Sequence, residues 1–173
     1  MTATELTVRL AQQDDHEWII AAYGDVYATE FGFDRLFQAG IAEKMRAFLE
    51  LPGPFNRIWV GLVGDKRVAS IAISARADSV AFLNFVLVLP QYRGKGAGSA
   101  MMKLALDHAR THSFKQVQLE TYSCLVDARA LYGRLNFQMT EVVPGQKAYG
   151  KNFDQEFWSL KLQGFCEPYP QMC

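Results

Sequence analysis

The stretch Leu89–Ala109, "LPQYRGKGAGSAMMKLALDHA", crowds a proline, an arginine, a lysine and three glycines onto the start of a helix. Ala97, Met101, Leu104, Ala105 and His108 share one face of that helix, so it docks on a core. A helix N-terminus carries unpaired N–H groups and a partial positive charge. Glycines just ahead of it let the main chain approach an anion closely. Arg93 and Lys95 add full charges, and the combination suits a pyrophosphate. Upstream, "SVAFLNFVLVL" (Ser79–Leu89) is almost continuously apolar, the pattern of a central buried strand.

Three nucleotide-binding patterns compete for these glycines. The P-loop requires Lys and then Ser or Thr after its last glycine, but Ser99 follows Gly98 directly. The dinucleotide fingerprint accepts Gly94 and Gly96, but Gly98 falls one residue early. The third pattern joins Val88 and Pro90 at a strand end to Gln91, Arg93, Gly94, Gly96 and Gly98, and it is met throughout. A merely flexible turn would have to explain all of these matches at one strand-to-helix junction.

Outward from this loop, "ELTVRLA" alternates as a strand. Asp14 and Asp15 are expected caps for the helix "HEWIIAAYGDVYATE". Asp34 caps a second helix, "RLFQAGIAEKMRAFLE", which "LPGP" stops. "NRIWVGLV" and "RVASIAISA" form a hairpin around "GDK". After the glycine helix come a strand "KQVQLETY", a helix "VDARALYGRL" and a strand "FQMTEVV". "GQKAYGKNF" is expected to be a loop, "DQEFWSLKL" a last strand and "QGFCEPYPQMC" a loose tail. The order β-α-α-β-β-β-α-β-α-β-β predicts a mixed, mostly antiparallel α/β sheet with helices on both faces.

The chain has 173 residues, enough for a single domain over 1–173 with a sizeable core. Its formal net charge of zero argues against wholesale nucleic-acid binding. No apolar run is long enough to span a membrane, and the N-terminus lacks a signal peptide's pattern. Cys124, Cys166 and Cys173 are odd in number and lack metal-ligand spacing, which fits a reducing, cytoplasmic setting. Residues 1–50 hold four Lys/Arg against nine Asp/Glu, and the remainder is correspondingly basic. Either this is chance, or the first part faces a cation and the second an anion.

With the loop read in this way, the sequence resembles the GNAT superfamily, the Gcn5-related N-acyltransferases. "VLPQYRGKGAG" is similar to that family's acyl-CoA pyrophosphate loop, and the order of elements matches its fold over nearly the whole chain. Within the superfamily it most resembles acetyltransferase domains fused to MarR-type regulators, through "YGDVYATEFGFD" (Tyr23–Asp34), "ARALYGRLNF" (Ala128–Phe137) and "YGKNFDQEFWSLKL" (Tyr149–Leu162). The first strand leaves no room for a MarR-type domain, so DNA binding is not expected.

The resemblance implies transfer of an acetyl group from acetyl-CoA to a primary amine of a small molecule. It implies no metal, and it is compatible with a homodimer. Residues 80–112 would form the acyl-CoA-binding strand, loop and helix. The loop residues Arg93, Gly94, Lys95, Gly96, Ala97, Gly98 and Ser99 would hold the coenzyme, mainly through amides. Leu87 and Val88 would offer main-chain groups at the edge of a splayed strand, and the Val88 amide could polarise the thioester carbonyl. Tyr132, with Ala128 and Leu131 in the family's helix pattern, would be the general acid; alternatively it is a buried structural tyrosine.

Asn136 stands where the family has glycine, and it tolerates the left-handed conformation. Leu125 replaces an asparagine that contacts the coenzyme in many members. Glu120 and Glu30 are the candidate general bases, and Asn84 could orient a water. All three could instead satisfy neighbours or face solvent. Residues 14–50 would cover the acceptor, with Trp18, Tyr23, Tyr27, Phe31, Phe33 and Phe37 as pocket or core. His108 and His112, four apart near a helix end, suit the helix dipole better than a metal. Cys124 is read as a small buried residue. The alternatives to an enzyme of this kind are a non-catalytic acyl-CoA-binding module, a protein N-acetyltransferase or an interaction protein.

Overall fold

The computed structural model describes residues 5–163. Cys166, Cys173 and nearly all of the expected tail lie outside them. The elements run β1 (Leu6–Leu10), α1 (Gln13–Phe31), α2 (Arg35–Leu49), β2 (Arg57–Val63), β3 (Lys66–Ala77), β4 (Val80–Val88), α3 (Ala97–Thr111), β5 (Gln116–Tyr122), α4 (Val126–Arg134), β6 (Gln138–Ala148) and β7 (Lys151–Lys161). A short 3-10 turn, Pro90–Tyr92, joins β4 to the glycine loop. Among the described residues no helix is long and apolar enough to cross a membrane.

The strands form one seven-stranded sheet in the order β1-β2-β3-β4-β5-β7-β6. Every neighbouring pair is antiparallel except β4 and β5. Alternation along β2 sorts Ile58 and Val60 to one face and Trp59 to the other. The first face is covered by α1 and α2, through Ile19, Tyr23, Phe37 and Met45. The second is covered by α3 and α4, through Met101, Met102, Ala105 and Tyr132. Phe55 stacks on His108 at 4.8 Å between ring centroids, and the Phe55 carbonyl lies 2.8 Å from the His108 Nε2. His108 therefore docks α3 onto the approach to β2.

β4 changes face part-way along. Ala81 and Leu83 pack toward α3 and α4, but Phe85 and Leu87 pack toward α1 and α2. The cause is a bulge: Asn84 pairs with Ala72 and Leu87 with Ser70, so β4 spends one residue more than β3. Phe85 takes the extra place at φ 52°, and the Ser70 hydroxyl donates to its carbonyl at 2.6 Å.

Two expectations need correction. The predicted loop "GQKAYGKNF" is mostly strand, because Tyr149 and Gly150 both take positive φ, 55° and 74°, and make a two-residue hairpin turn between Ala148 and Lys151. Pro144 and Gly145 hide β6 from a pattern reading, yet an edge strand with bulges accommodates both. Asp14 and Asp15 are also not N-cap residues: Gln12 is, and Asp15, at the third helical position, closes a capping box with it. Helix α1 begins at Gln13, which places both inside its first turn.

Asp15 is fully buried. It accepts from the Gln12 amide at 2.6 Å, from Arg9 at 2.6 Å and from the Arg67 Nε at 2.7 Å. One carboxylate thus ties β1, α1 and β3 together. Chiefly the Arg9 hydrogen bond, helped by the Gln12 amide and Arg67, holds the Asp15 carboxyl well below the usual carboxylate range against the opposing effect of burial. Asp34, by contrast, caps α2 as expected, accepting from the Leu36 amide at 2.9 Å.

Replacing Asp15 by alanine is expected to cost about 3 kcal/mol, the low end for breaking a buried pair because both arginines reach solvent. Urea denaturation at neutral pH measures it. A carboxyl whose folded pKa is lowered contributes fully above its unfolded value, near 3.9. That contribution fades as pH falls below about 4. The gap between wild type and Asp15→Ala should therefore narrow in acid.

Candidate active site

β4 and β5 pair only through Val80 with Gln116, Ala81 with Val117 and Phe82 with Gln118. Beyond that they part, while β5 continues on β7 through Tyr122. Leu89 donates its amide to Val68 of β3 at 2.8 Å. Strand alternation then turns the Leu87 amide toward its partner Ser70, and the main chain of Val86 and Val88 toward the parting. The two outward carbonyls meet side chains. Tyr23 donates to the Val86 carbonyl at 3.0 Å, and Arg93 Nε to the Val88 carbonyl at 3.1 Å. Of the two expected strand positions, Val88 faces the parting and Leu87 does not. Val86 takes its place, and the bulge that reorients it has no signature in the sequence.

The loop is built as an open cradle. Gly94 and Gly96 have φ 75° and 86°, a left-handed geometry that a β-carbon resists. Gly96 is the N-cap of α3 and no side chain caps it. The first amide of this helix to be used is that of Ala100, which donates to Gly96 at 3.0 Å. The amides of Gly94, Lys95, Gly96, Ala97, Gly98 and Ser99 have no partner among the described residues. Gly98 also serves packing: a β-carbon there would come within 3.2 Å of Leu131 and 3.8 Å of Val88. Its bare Cα lets the start of α3, the end of β4 and the middle of α4 meet.

The two charges of the loop differ. Arg93 Nη1 lies 2.8 Å from Glu30, at the end of α1, and 3.5 Å from Asp127. Lys95 is exposed, its ammonium 5.9 Å from the Tyr92 ring centroid, and makes no ion pair among the described residues. Glu30 is therefore a loop anchor in this structure. It does not line the cavity described next.

That cavity lies where β4 and β5 part, and its volume is about 100 Å³, room for several waters. α1 and α2 contribute Tyr23, Tyr27, Phe37, Ile41 and Lys44, β4 contributes Phe82–Val86, β5 contributes Leu119–Tyr122, and Leu125, Ala128 and Tyr132 close it. Of the six acceptor-side aromatics, only Tyr23, Tyr27 and Phe37 reach it. Phe33 stacks on Tyr149 and Phe153, each at 5.5 Å.

Tyr132 is 4% exposed, and its hydroxyl has no hydrogen bond to the described residues. Burial pushes its phenol up, so the proton stays on at neutral pH. Glu120 is half-buried and accepts from Gln155 Nε2 at 2.5 Å. Val117, Leu119 and Thr121 are the buried register of β5, and Glu120 lies on the other face. Asn84 is half-buried, with Nδ2 3.4 Å from the Ser74 hydroxyl.

Leu125 is the N-cap residue of α4, and the Ser123 hydroxyl accepts from the Asp154 amide at 2.9 Å. Ser123 thus spends an acceptor site on β7. Burial raises the Cys124 thiol, the wrong direction for a nucleophile. Asn136 adopts φ 67°, and Phe137 donates back to the Tyr132 carbonyl at 3.0 Å, so asparagine completes the helix end as expected. Lys44 and Thr121 also line the cavity and carry polar groups that pattern reading passed over. For Thr121 a signal existed, a hydroxyl in the inward register of β5.

A sheet parted between two parallel strands, with a glycine-started helix N-terminus beside the parting, is the architecture of an acyltransferase of the kind the sequence resembles. The sequence profile of the acetyltransferase (GNAT) family matches residues 12–137, and the chain belongs to that family. The chain is 32% identical over 97 residues to the uncharacterized N-acetyltransferase YjgM of Escherichia coli, covering 53% of this chain and 57% of that protein. It is 26% identical over 123 residues to N-acetylaspartate synthetase of Xenopus tropicalis, covering 69% of this chain and 45% of that protein. The chain thus spans about half the length of the curated relatives it matches.

Among solved structures, yncA from Salmonella typhimurium, determined with acetyl-CoA, superposes with TM-score 0.74 at 18% identity over 97% of this chain and 99% of that one. An N-acetyltransferase from Staphylococcus aureus superposes with TM-score 0.76 at 16% identity over 92% and 99%. These likenesses are of fold.

Gly96→Ala places a β-carbon at φ 86°. It is expected to lower stability by about 1–2 kcal/mol, and thermal unfolding reads the loss. Gly133→Ala in α4 meets nothing within 4 Å and has no positive φ, so it should be neutral or stabilising.

Proposed function

We propose that this protein transfers an acetyl group from acetyl-CoA to the primary amine of a small molecule, by direct attack with both substrates bound. The observation that carries this reading is the parting of β4 from β5 beside six unpartnered amides at the start of α3. A diphosphate fits that cradle, because main-chain N–H groups and the helix dipole both favour an anion. The pantetheine arm can pair with the free main-chain edge at Val86 and Val88, and this leads the thioester toward the cavity. Lys95 remains available to the phosphates, and Arg93 stiffens the loop through Glu30.

The chemistry needs three groups. The amide of Val88, or that of Val86, polarises the thioester carbonyl as oxyanion charge develops. Glu120, oriented by Gln155, takes a proton from the amine directly or through a water that Asn84 helps to hold. The neutral nitrogen then attacks the carbonyl carbon, and the second proton it sheds replaces the one that Tyr132 gives up. As the carbon–sulfur bond breaks, its electron pair moves to sulfur, and Tyr132 supplies the proton that completes the thiol. The small cavity under α1 and α2, about 100 Å³, favours a small acceptor. Within the family, the three stretches from Tyr23, Ala128 and Tyr149 support kinship with the acetyltransferase domains fused to MarR-type regulators. The cysteine content fits a cytoplasmic setting.

Incubation with acetyl-CoA and a panel of amino acids, polyamines, aminoglycosides and amino-terminal peptides, read by thiol release and product mass, tests the reading. Acetylated small amines are expected. Transfer to peptides alone would replace the acceptor class, and binding of acetyl-CoA without any transfer would leave a binding module. Tyr132→Phe should keep the fold and KM but lower kcat by about 100-fold. Glu120→Gln should lower kcat comparably, with the fold kept.

A further inference from the structure

The cavity where β4 and β5 part is lined mostly by aromatic and aliphatic side chains. Among the described residues that line it, Lys44 of α2 is the one cation and Glu120 of β5 the one anion. Helix α2 explains how the lysine comes to be there. Phe37, Ile41 and Lys44 stand at i, i+4 and i+7, which is one face of the helix, and all three line the cavity. Phe37 and Ile41 are buried, whereas Lys44 is exposed, so the lysine holds the rim. Lysines belong on the solvated face of a helix. This one interrupts the core-facing stripe, between buried Ile41 and buried Phe48. A lysine so placed keeps its ammonium at the wet edge of an apolar surface.

No carboxylate of its own helix meets it. The positions three and four away are Gly40, Ile41, Ala47 and Phe48. The nearby acids Glu43 and Glu50 both pair with Arg46. Lys44 makes no ion pair among the described residues. Glu120 is held instead by Gln155, whose Nε2 donates to it at 2.5 Å. The cavity thus presents one charge of each sign, and the two are not spent on each other.

We propose that the acceptor is an amino carboxylate, such as an amino acid, whose carboxylate is bound by Lys44 at the rim while its amine lies beside Glu120. This rests on the acetyl-transfer reading above. Lys44 is a specificity-determining residue: it selects the acceptor by charge and takes no part in the proton transfers. The carboxylate undergoes no covalent change, and the acetyl group passes from sulfur to nitrogen as already described. Selection works in both directions. A carboxylate near the amine is attracted, whereas the additional ammonium groups of a polyamine or an aminoglycoside would face a like charge.

The experiment supplies wild type, Lys44→Gln and Lys44→Glu with acetyl-CoA and three kinds of acceptor: α-amino acids, their carboxamides and linear diamines. Thiol release and product mass are read. Lys44 is exposed, so both substitutions leave the fold in place, and thermal unfolding checks this. In wild type, kcat/KM should be about fivefold higher for the preferred amino acid than for its carboxamide, the upper range for a pair that water still reaches. Lys44→Gln should erase that preference through the KM of the amino acid, with KM for acetyl-CoA little changed. Lys44→Glu should move the preference to diamines. Wild type and variants are compared on the same pair of acceptors, so the different basicity of the two amines cancels. Acetyl transfer by the wild type without preference for the carboxylate, or a preference that persists in Lys44→Gln, would overturn the assignment and leave acetyl transfer standing. Absence of transfer to every acceptor would remove the acetyl-transfer reading and this inference with it.

Discussion

Two neighbouring strands that stop pairing after three residues impose the main constraint on this molecule. Main-chain donors and acceptors inside a protein must find partners. β5 finds them on β7 along its whole length, but β4 beyond Phe82 has β3 on one side only. Its other side meets the Tyr23 hydroxyl and the Arg93 guanidinium, both at carbonyls. The outward amides of Val86 and Val88 have no strand partner among the described residues.

The surroundings hold the parting in shape. The bulge at Phe85 sends the second half of β4 to the opposite face, so one strand is packed by α3 and α4 at its start and by α1 and α2 at its end. Ser70 fixes the bulge from β3. Gly98 lets α3 and α4 converge on Val88 at the far end. Far from the cavity, the buried Asp15 clasps β1, α1 and β3 through Arg9 and Arg67, which steadies the helix that carries Tyr23 and Tyr27.

Much of the site was legible because it is local. The glycine loop occupies a few consecutive residues, and the left-handed φ of Gly94 and Gly96 is the conformation that glycine permits most readily. Tyr132 sits in a helix whose pattern is compact. Glu30 shows the limit. Its place in "YATEFGFD" suggested an acceptor-side base, but the fold folds α1 back so that Glu30 meets Arg93, more than sixty positions along the chain. Lys44 is the converse case, a residue passed over because one lysine in an amphipathic helix carries no motif.

The sequence by itself determined the order of elements, the strand-to-helix loop and the caps at Asp34 and Asn136. These follow from periodicity, propensity and φ, all of which act over a few residues. Only the tertiary structure decided where β4 and β5 separate, which main-chain groups of β4 face the gap and which side chains line it. Those outcomes depend on β7 claiming β5 from residues 151–161 and on one extra residue in the register of β4 against β3. Strand pairing joins distant segments, and no pattern within either partner records where it ends.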